Sequence, residues 1–234
     1  MLKPKNRSKK SSNRVSALHF ELNTIYPMTE NQQKVFDLYD EGKNLVVYGS
    51  AGSGKSFLSL YLGMKELLDD AAFSKIIILR SAVATRDLGF LPGTEREKIS
   101  VYEAPYRAMI NELFGRADAY DIMKQKDIIE FESSSFLRGL TYANCLIFVD
   151  EIQNMTLHEI STIVTRLGEN SKIIFAGDVR QSDLNERKEN SGVKDLISIA
   201  TIMPEFSLVE FTVNDIVRSD IVKSFLIAKE TLNL

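Results

Sequence analysis

The chain has 234 residues, of which 44% are apolar and 26% are charged, a composition typical of one globular domain with a substantial core. Its single cysteine, Cys145, excludes an internal disulfide framework, and with two histidines a structural zinc site is not expected. Apolar runs are shorter than the roughly 20 residues that span a bilayer, and the start has no secretory signal. We therefore expect a cytoplasmic protein with no membrane partner.

The N-terminal segment differs in charge from the rest of the chain. Residues 1–14 contain six basic side chains and no acidic one, although the net charge of the whole chain is −3. A solvated flexible tail and an electrostatic tether to nucleic acid both fit this pattern. We predict a flexible basic arm over residues 1–20 and a single catalytic domain over residues 21–234.

From about Leu45 onward, short apolar runs alternate with longer amphipathic segments. This alternation predicts an α/β fold with a mostly parallel core sheet and helices on both faces. The five predicted core strands, all buried, cover residues 45–48, 76–79, 146–149, 173–176 and 208–211. Helices are predicted over residues 55–68, 104–114, 157–167, 193–200 and 216–228. Residues 81–144 form the main insertion, in which residues 128–132 are a candidate further strand.

The segment GSAGSGKS lies between the first predicted strand and the helix after it. It fits the pattern G-x-x-x-x-G-K-[ST], in which glycines let backbone N–H groups surround phosphates at a helix N-terminus. A structural glycine-rich turn is the alternative. We predict that Lys55 bridges the β- and γ-phosphates of ATP and that Ser56 binds Mg²⁺. The predicted nucleotide-binding residues here are Gly49, Ser50, Ala51, Gly52, Ser53, Gly54, Lys55, Ser56 and Phe57.

A second apolar strand ends in two acidic residues, Asp150 and Glu151. Ligands of such sheets are bound at the carboxyl ends of the strands. Asp150 is predicted to hold Mg²⁺ opposite Ser56, and Glu151 to orient and deprotonate the water that attacks the γ-phosphate. A simple cap on the following helix is the alternative interpretation of the pair.

Polar residues after the last two predicted strands are candidate sensors of the γ-phosphate. Gln181 is the natural candidate to contact this phosphate or the attacking water, with a polar turn as the alternative. Arg218 is predicted at the start of the last helix, where it could pair with charge in the transition state. Arg138 and Arg166 are weaker candidates for the same role.

Upstream of the glycine-rich loop, Thr29 and Gln32 have the residue types and spacing of a capping box at a helix start. Capping alone accounts for both residues.

Together these motifs resemble the PhoH-like family of predicted ATPases, itself similar to the first motor domain of superfamily 1 helicases. The resemblance covers residues 28–228, and its most specific parts are LGFLPG, YEAPY, RGLT and DEIQN. It implies a RecA-like P-loop NTPase fold, and it implies that Gln32 reads the adenine edge. Leu140 in RGLT and the sequence RSDIV depart from the family pattern. A short chain of this kind resembles the forms that bacteriophages carry.

Superfamily 1 helicases hydrolyse ATP between two motor lobes, and the resemblance covers one lobe here. It therefore implies a homo-oligomer, a hexameric ring, in which a neighbour covers the site and contributes an arginine. The first functional hypothesis is an ATPase linked to RNA or single-stranded DNA, with helicase-like motor activity. The alternative is an ATP-controlled regulatory or assembly module without unwinding activity. A small-molecule kinase is disfavoured, because Glu151 and Gln181 suit activation of water.

Overall fold

The computed structural model describes residues 20–69, 73–81, 95–133, 141–178 and 191–232. In these ranges six strands form one parallel sheet in the order β3-β2-β4-β5-β1-β6. The predicted parallel α/β fold is confirmed. The strands are β1 (Asn44–Gly49), β2 (Lys75–Arg80), β3 (Ile129–Ser133), β4 (Cys145–Asp150), β5 (Lys172–Gly177) and β6 (Phe206–Phe211).

Helices connect the strands and cover both faces of the sheet. The first helix starts after its N-cap Thr29, whose side chain accepts a hydrogen bond from the backbone N–H of Gln32. We call Lys55–Asp69 the phosphate-loop helix, Glu95–Leu113 the insertion helix and Asp220–Thr231 the last helix. The remaining α-helices described are Glu30–Asp40, Ala119–Gln125, Leu157–Val164 and Val193–Ile202, with short 3-10 turns at Ile152–Asn154 and Val213–Asp215.

The core lies in two layers, one on each face of the sheet. Along β4, alternate side chains enter opposite layers, Leu146 and Phe148 on one face and Ile147 and Val149 on the other. The first layer packs against the phosphate-loop and insertion helices, and the second against the helices Leu157–Val164 and Val193–Ile202. No described helix is long and apolar enough to cross a bilayer.

The structure corrects several predicted elements. The sheet has a sixth strand, β3, at one edge, where the sequence indicated only a candidate strand. Strand β6 is not fully buried, because it is the other edge and leaves Glu210 exposed. The insertion helix begins at Glu95 rather than residue 104 and contains Pro105.

The last helix begins at Asp220 rather than residue 216. Ile216 has an extended backbone, with φ −70° and ψ 114°, and the N–H of Val217 donates to the carbonyl of Gly52, 3.1 Å away, so this stretch follows the loop and is not helical. Arg218 therefore lies in the connection before the helix and not in its first turn.

Candidate nucleotide-binding site

The glycine-rich loop and the acidic pair Asp150 and Glu151 come together where the parallel strands β1, β5 and β4 end, at the carboxyl ends of the strands. β1 runs into the glycine-rich loop, β5 is followed by Asp178, and β4 ends at Asp150. Because β5 lies between the other two strands, Asp178 sits between the loop and the acidic pair. Parallel strands deliver these side chains to one edge, which is where such sheets bind ligands.

The glycine-rich loop has a backbone that side chains would disturb. Gly49, Gly52 and Gly54 have φ values of 116°, 74° and 86°, in the region that favours glycine. A Cβ atom at Gly49 would lie 2.0 Å from the carbonyl oxygen of Phe211, so no other residue fits there. The N–H of Ser50 donates to that same oxygen at 2.9 Å, which ties the start of the loop to the end of β6.

The side chain of Lys55 folds back towards the start of the loop. Its Nζ donates to the carbonyl oxygens of Gly49 and Ser50 at 2.8 and 2.7 Å. Burial lowers the pKa of Lys55, while the nearby charges of Asp178, Asp150 and Glu151 act in the opposite direction. A polyanionic ligand beside this partly buried cation would offset the effect of burial and stabilise the ammonium form.

Asp150 is buried and closely held. Its Oδ1 accepts from the hydroxyl of Ser56 at 3.1 Å and from the N–H of Glu151 at 3.0 Å, and its Oδ2 accepts from the hydroxyl of Tyr106 at 3.0 Å. Burial, followed by the charge of Glu151, raises the pKa of Asp150 to about 6. A cation next to this carboxylate would offset both effects.

The donor set fits magnesium. Ser56 and Asp150 place a hydroxyl and a carboxylate oxygen side by side, and Mg²⁺ is bound by one or two protein oxygens together with waters and substrate phosphates. The described residues contain no cluster of three His, Cys, Asp or Glu side chains that would form a metal cage made of protein alone. The two oxygens therefore suit a metal that arrives with a phosphate ligand.

Glu151 has a left-handed backbone, with φ 56° and ψ 41°. This conformation is strained for a residue other than glycine, and strain of this kind is concentrated at functional sites. Its side chain accepts a 2.5 Å hydrogen bond from Nε2 of Gln153, whose Oε1 in turn accepts from the N–H of Asp178 at 3.0 Å. Gln153 thus links the carboxylate after β4 to the backbone after β5.

Arg80, the last residue of β2, approaches Glu151 from the other side. Its Nη2 lies 3.7 Å from Oε1 of Glu151, and its guanidinium carbon lies 5.2 Å from the centre of the Tyr102 ring. Glu151 is therefore held between Gln153 and Arg80.

Gln32 is buried against the loop. Its Nε2 donates to the carbonyl of Ser53 at 3.0 Å, and its Oε1 accepts from the N–H of Met28 at 2.7 Å. In a complete capping box the side chain of Gln32 would accept from the N–H of Thr29, but here it accepts from the N–H of Met28. The sequence prediction of a complete box is therefore wrong. Each amide atom retains one further hydrogen-bonding position, because the NH₂ group has two hydrogens and the oxygen two lone pairs.

The other predicted residues are less closely grouped. Arg218 is exposed, and its Cγ would lie 3.2 Å from a Cβ at Gly52, so it borders the loop. Phe57 packs partly into the core from the first turn of the phosphate-loop helix. The carbonyl of Arg166 accepts a hydrogen bond from the N–H of Tyr142, just before β4 begins. This position is at the amino ends of the strands, whereas the glycine-rich loop and Asp150 are at their carboxyl ends. The candidacy of Arg166 as a γ-phosphate contact within one subunit is therefore wrong. Gln181 and Arg138 lie outside the described residues.

Three residues of the site were not singled out from the sequence, namely Arg80, Tyr106 and Gln153. Tyr106 and Gln153 belong to YEAPY and DEIQN, two motifs of the resemblance, and Arg80 begins the segment RSAV, upstream of LGFLPG. The sequence motifs could have drawn attention to these residues. Which carboxylate each residue contacts is visible only in the folded structure.

A parallel sheet with a glycine-rich loop after β1 and an acid-tipped β4 defines a P-loop NTPase of the RecA-like class. The likeness of folds agrees, since the large terminase of a thermophilic bacteriophage in complex with ADP has a TM-score of 0.50, with 16% identity, 85% coverage of this chain and 49% of the terminase. Residues 24–230 match the family described as PhoH-like protein. The chain belongs to this family.

Curated relatives support the same assignment. A PhoH-like protein of Mycobacterium tuberculosis is 34% identical over 206 residues, which are 87% of this chain and 57% of that protein. The protein PhoH of Escherichia coli is 33% identical over 182 residues, 76% of this chain and 51% of its own length. The chain thus spans just over half the length of these relatives.

Proposed function

We propose that this chain binds ATP with Mg²⁺ and hydrolyses it to ADP and phosphate. The observation that carries the proposal is the pairing of Ser56 Oγ and Asp150 Oδ1 at 3.1 Å, beside the loop that holds Lys55. Two metal-binding oxygens, a cation and a cradle of backbone amides converge there.

Each residue has a distinct role in this proposal. Lys55 contacts the β- and γ-phosphates, and Ser56 and Asp150 hold the metal, which when bound neutralises phosphate charge. Glu151 orients the attacking water and accepts its proton. The contacts of Glu151 with Gln153 and Arg80 support this role, because they fix the direction of its carboxylate.

Three further residues complete the proposed site. Gln32 recognises the adenine edge with the hydrogen-bonding positions that remain on its amide. Gln181 contacts the γ-phosphate or the water, and Arg218 stabilises charge in the transition state. The position of Arg218 beside Gly52 supports its placement near the phosphates.

We further propose that hydrolysis is linked to RNA or single-stranded DNA, in a helicase-like motor. The six basic residues of segment 1–14 support this link through phosphate neutralisation. The test is release of inorganic phosphate from ATP, measured with and without single-stranded RNA or DNA, with Glu151→Gln as the inactive control. Stimulation is expected. If no stimulation and no salt-dependent binding are found, the regulatory module is favoured, and a phosphorylated metabolite in place of phosphate would indicate a kinase.

The proposed working form is a homo-oligomer, a hexameric ring, in which a neighbour covers the nucleotide. An exposed apolar stripe at the last helix supports this, with Ile221 and Phe225 at 79% and 68% exposure on one helical face and Leu232, directly after the helix, at 67%. The last helix itself adjoins the loop, because a Cβ at Gly52 would lie 3.2 Å from Cδ1 of Leu226, which is on a different face of the helix from the stripe. A second copy bound to this helix would therefore lie near the loop.

Light scattering tests the assembly. The wild-type chain is expected to be oligomeric, and Phe225→Glu to shift it towards the monomer. Ile202→Glu is the matched control. Ile202 is also exposed, but it precedes the start of β6 and so lies at the amino ends of the strands, away from the glycine-rich loop. A monomer with full turnover would contradict the ring.

The cytoplasm is the proposed location. Its support is that Cys145, the single cysteine, is buried in the core and has no partner for a disulfide within the chain.

A further inference from the structure

The insertion helix presents two tyrosines to the acidic end of β4. Tyr102 and Tyr106 are four residues apart in this helix, so they lie on the same face. Tyr106 is 1% exposed and its hydroxyl donates to Oδ2 of Asp150 at 3.0 Å. Tyr102 lies under the guanidinium of Arg80, which pairs with Glu151. One helix face thus reaches both carboxylates, one directly and one through an arginine.

The bond from Tyr106 fixes the orientation of the Asp150 carboxylate. Ser56 and the N–H of Glu151 occupy Oδ1, and Tyr106 occupies Oδ2, so rotation about the last side-chain bond would break contacts at both oxygens. The Tyr106 ring is itself held, with ring centres 5.5 Å from Phe131 and 6.3 Å from Phe148. A rigid donor of this kind is what outer partners of metal ligands provide.

Another tyrosine in the same insertion has similar chemistry away from the site. Tyr120 is fully buried, and its hydroxyl donates to Oε1 of Glu103 at 2.6 Å. Both tyrosines therefore bond to a buried carboxylate, but only the partner of Tyr106 lies beside the hydroxyl of Ser56. Comparing variants of Tyr106 and Tyr120 can therefore distinguish a purely structural role from a role at the metal.

We propose that Tyr106 is a positioning residue that sets the Asp150 carboxylate for Mg²⁺, and that the insertion helix thereby controls the acidic pair from outside the nucleotide loop. This inference rests on the proposed function, because it takes Asp150 as the metal ligand. It implies that a movement of the insertion helix alters metal binding through Tyr106 and the direction of Glu151 through Tyr102 and Arg80.

The experiment is a fluorescence titration of the full chain with mant-ADP, a fluorescent ADP analogue, in excess Mg²⁺ and in EDTA. The ratio of the two dissociation constants measures how strongly the metal tightens nucleotide binding. Tyr106→Phe keeps the ring and removes the hydroxyl, and it is expected to reduce this ratio about tenfold with the EDTA value unchanged. Tyr120→Phe is the matched control and should keep the wild-type ratio, with a comparable fall in melting temperature.

A third variant tests the other branch. Tyr102→Leu removes the ring beneath Arg80, so phosphate release should slow while the magnesium ratio stays at the wild-type value. The inference is overturned if Tyr106→Phe keeps the wild-type ratio, or if all three variants reduce it equally. If the wild-type chain itself shows no effect of Mg²⁺ on mant-ADP binding, the proposed function fails and the inference fails with it.

Discussion

The two halves of the nucleotide site are built in different ways. The phosphate loop is one contiguous segment between β1 and its helix, and Lys55 donates to the carbonyls of Gly49 and Ser50 within it, while Phe211, Val217 and Gln32 bond to its backbone. The acidic end of β4 is instead held by side chains from two distant segments, through Arg80 and Tyr106, and by Gln153 in the turn that follows it. A glycine-rich loop can be encoded locally, whereas the orientation of the carboxylates, to which we assign catalysis, depends on the tertiary structure around them.

This contrast predicts that loss of the Glu151 carboxylate affects catalysis and that loss of the Lys55 ammonium affects binding. The largest effect is expected for Glu151→Gln, which keeps the side-chain shape and removes the base. Phosphate release should fall about 10²- to 10⁴-fold, with ATP binding retained. Single-turnover phosphate release and mant-ATP titration measure the two properties, and normal turnover would remove Glu151 from the role of base.

The next effect is expected in the loop. Lys55→Ala removes the charged contact with the phosphates and should weaken nucleotide binding about 10- to 100-fold. Titration with mant-ATP measures the change. Lys65→Ala, in the same helix, is the control, and equal losses in both variants would contradict a specific role for Lys55.

A smaller effect is expected for Gln153→Leu, which removes both links between Glu151 and the backbone of Asp178. Hydrolysis should slow about tenfold through loss of orientation, with little change in nucleotide affinity. The control Gln33→Leu removes a glutamine side chain that bonds to Asp37 on the exposed surface of the first helix. Steady-state phosphate release compares the two, and an unchanged rate for Gln153→Leu would show that the link is not needed for hydrolysis.

The smallest effect concerns pH. Because the pKa of Asp150 is raised to about 6, its ionised form is disfavoured, and magnesium must displace a proton at lower pH. The concentration of Mg²⁺ that half-saturates mant-ADP binding should rise about twofold at pH 6 and about tenfold per unit well below it. For this group alone, folding stability also falls as pH rises from its ordinary pKa, 3.8, to about 6. A half-saturation value independent of pH between 5 and 8 would contradict this assignment.

Much of the fold was predictable because buried parallel strands are continuous apolar runs. All five predicted core strands lie within strands of the structure. The phosphate-loop helix also begins at Lys55, as predicted. The bounds of the last helix were not predictable, since the bond from Val217 to Gly52 depends on a contact between distant segments. The exposure of β6 likewise follows from its position at the edge of the sheet.

By itself the sequence determined the glycine-rich loop, the acid-tipped strand and the parallel α/β class, because each is written in a short contiguous pattern. The tertiary structure alone decided the partners of the carboxylates, since Tyr106 and Asp150 are 44 residues apart along the chain. It also placed Arg166 at the amino ends of the strands, away from the candidate site of its own subunit. Local patterns fix backbone conformation, but only packing between segments brings a hydroxyl within bonding distance of a carboxylate.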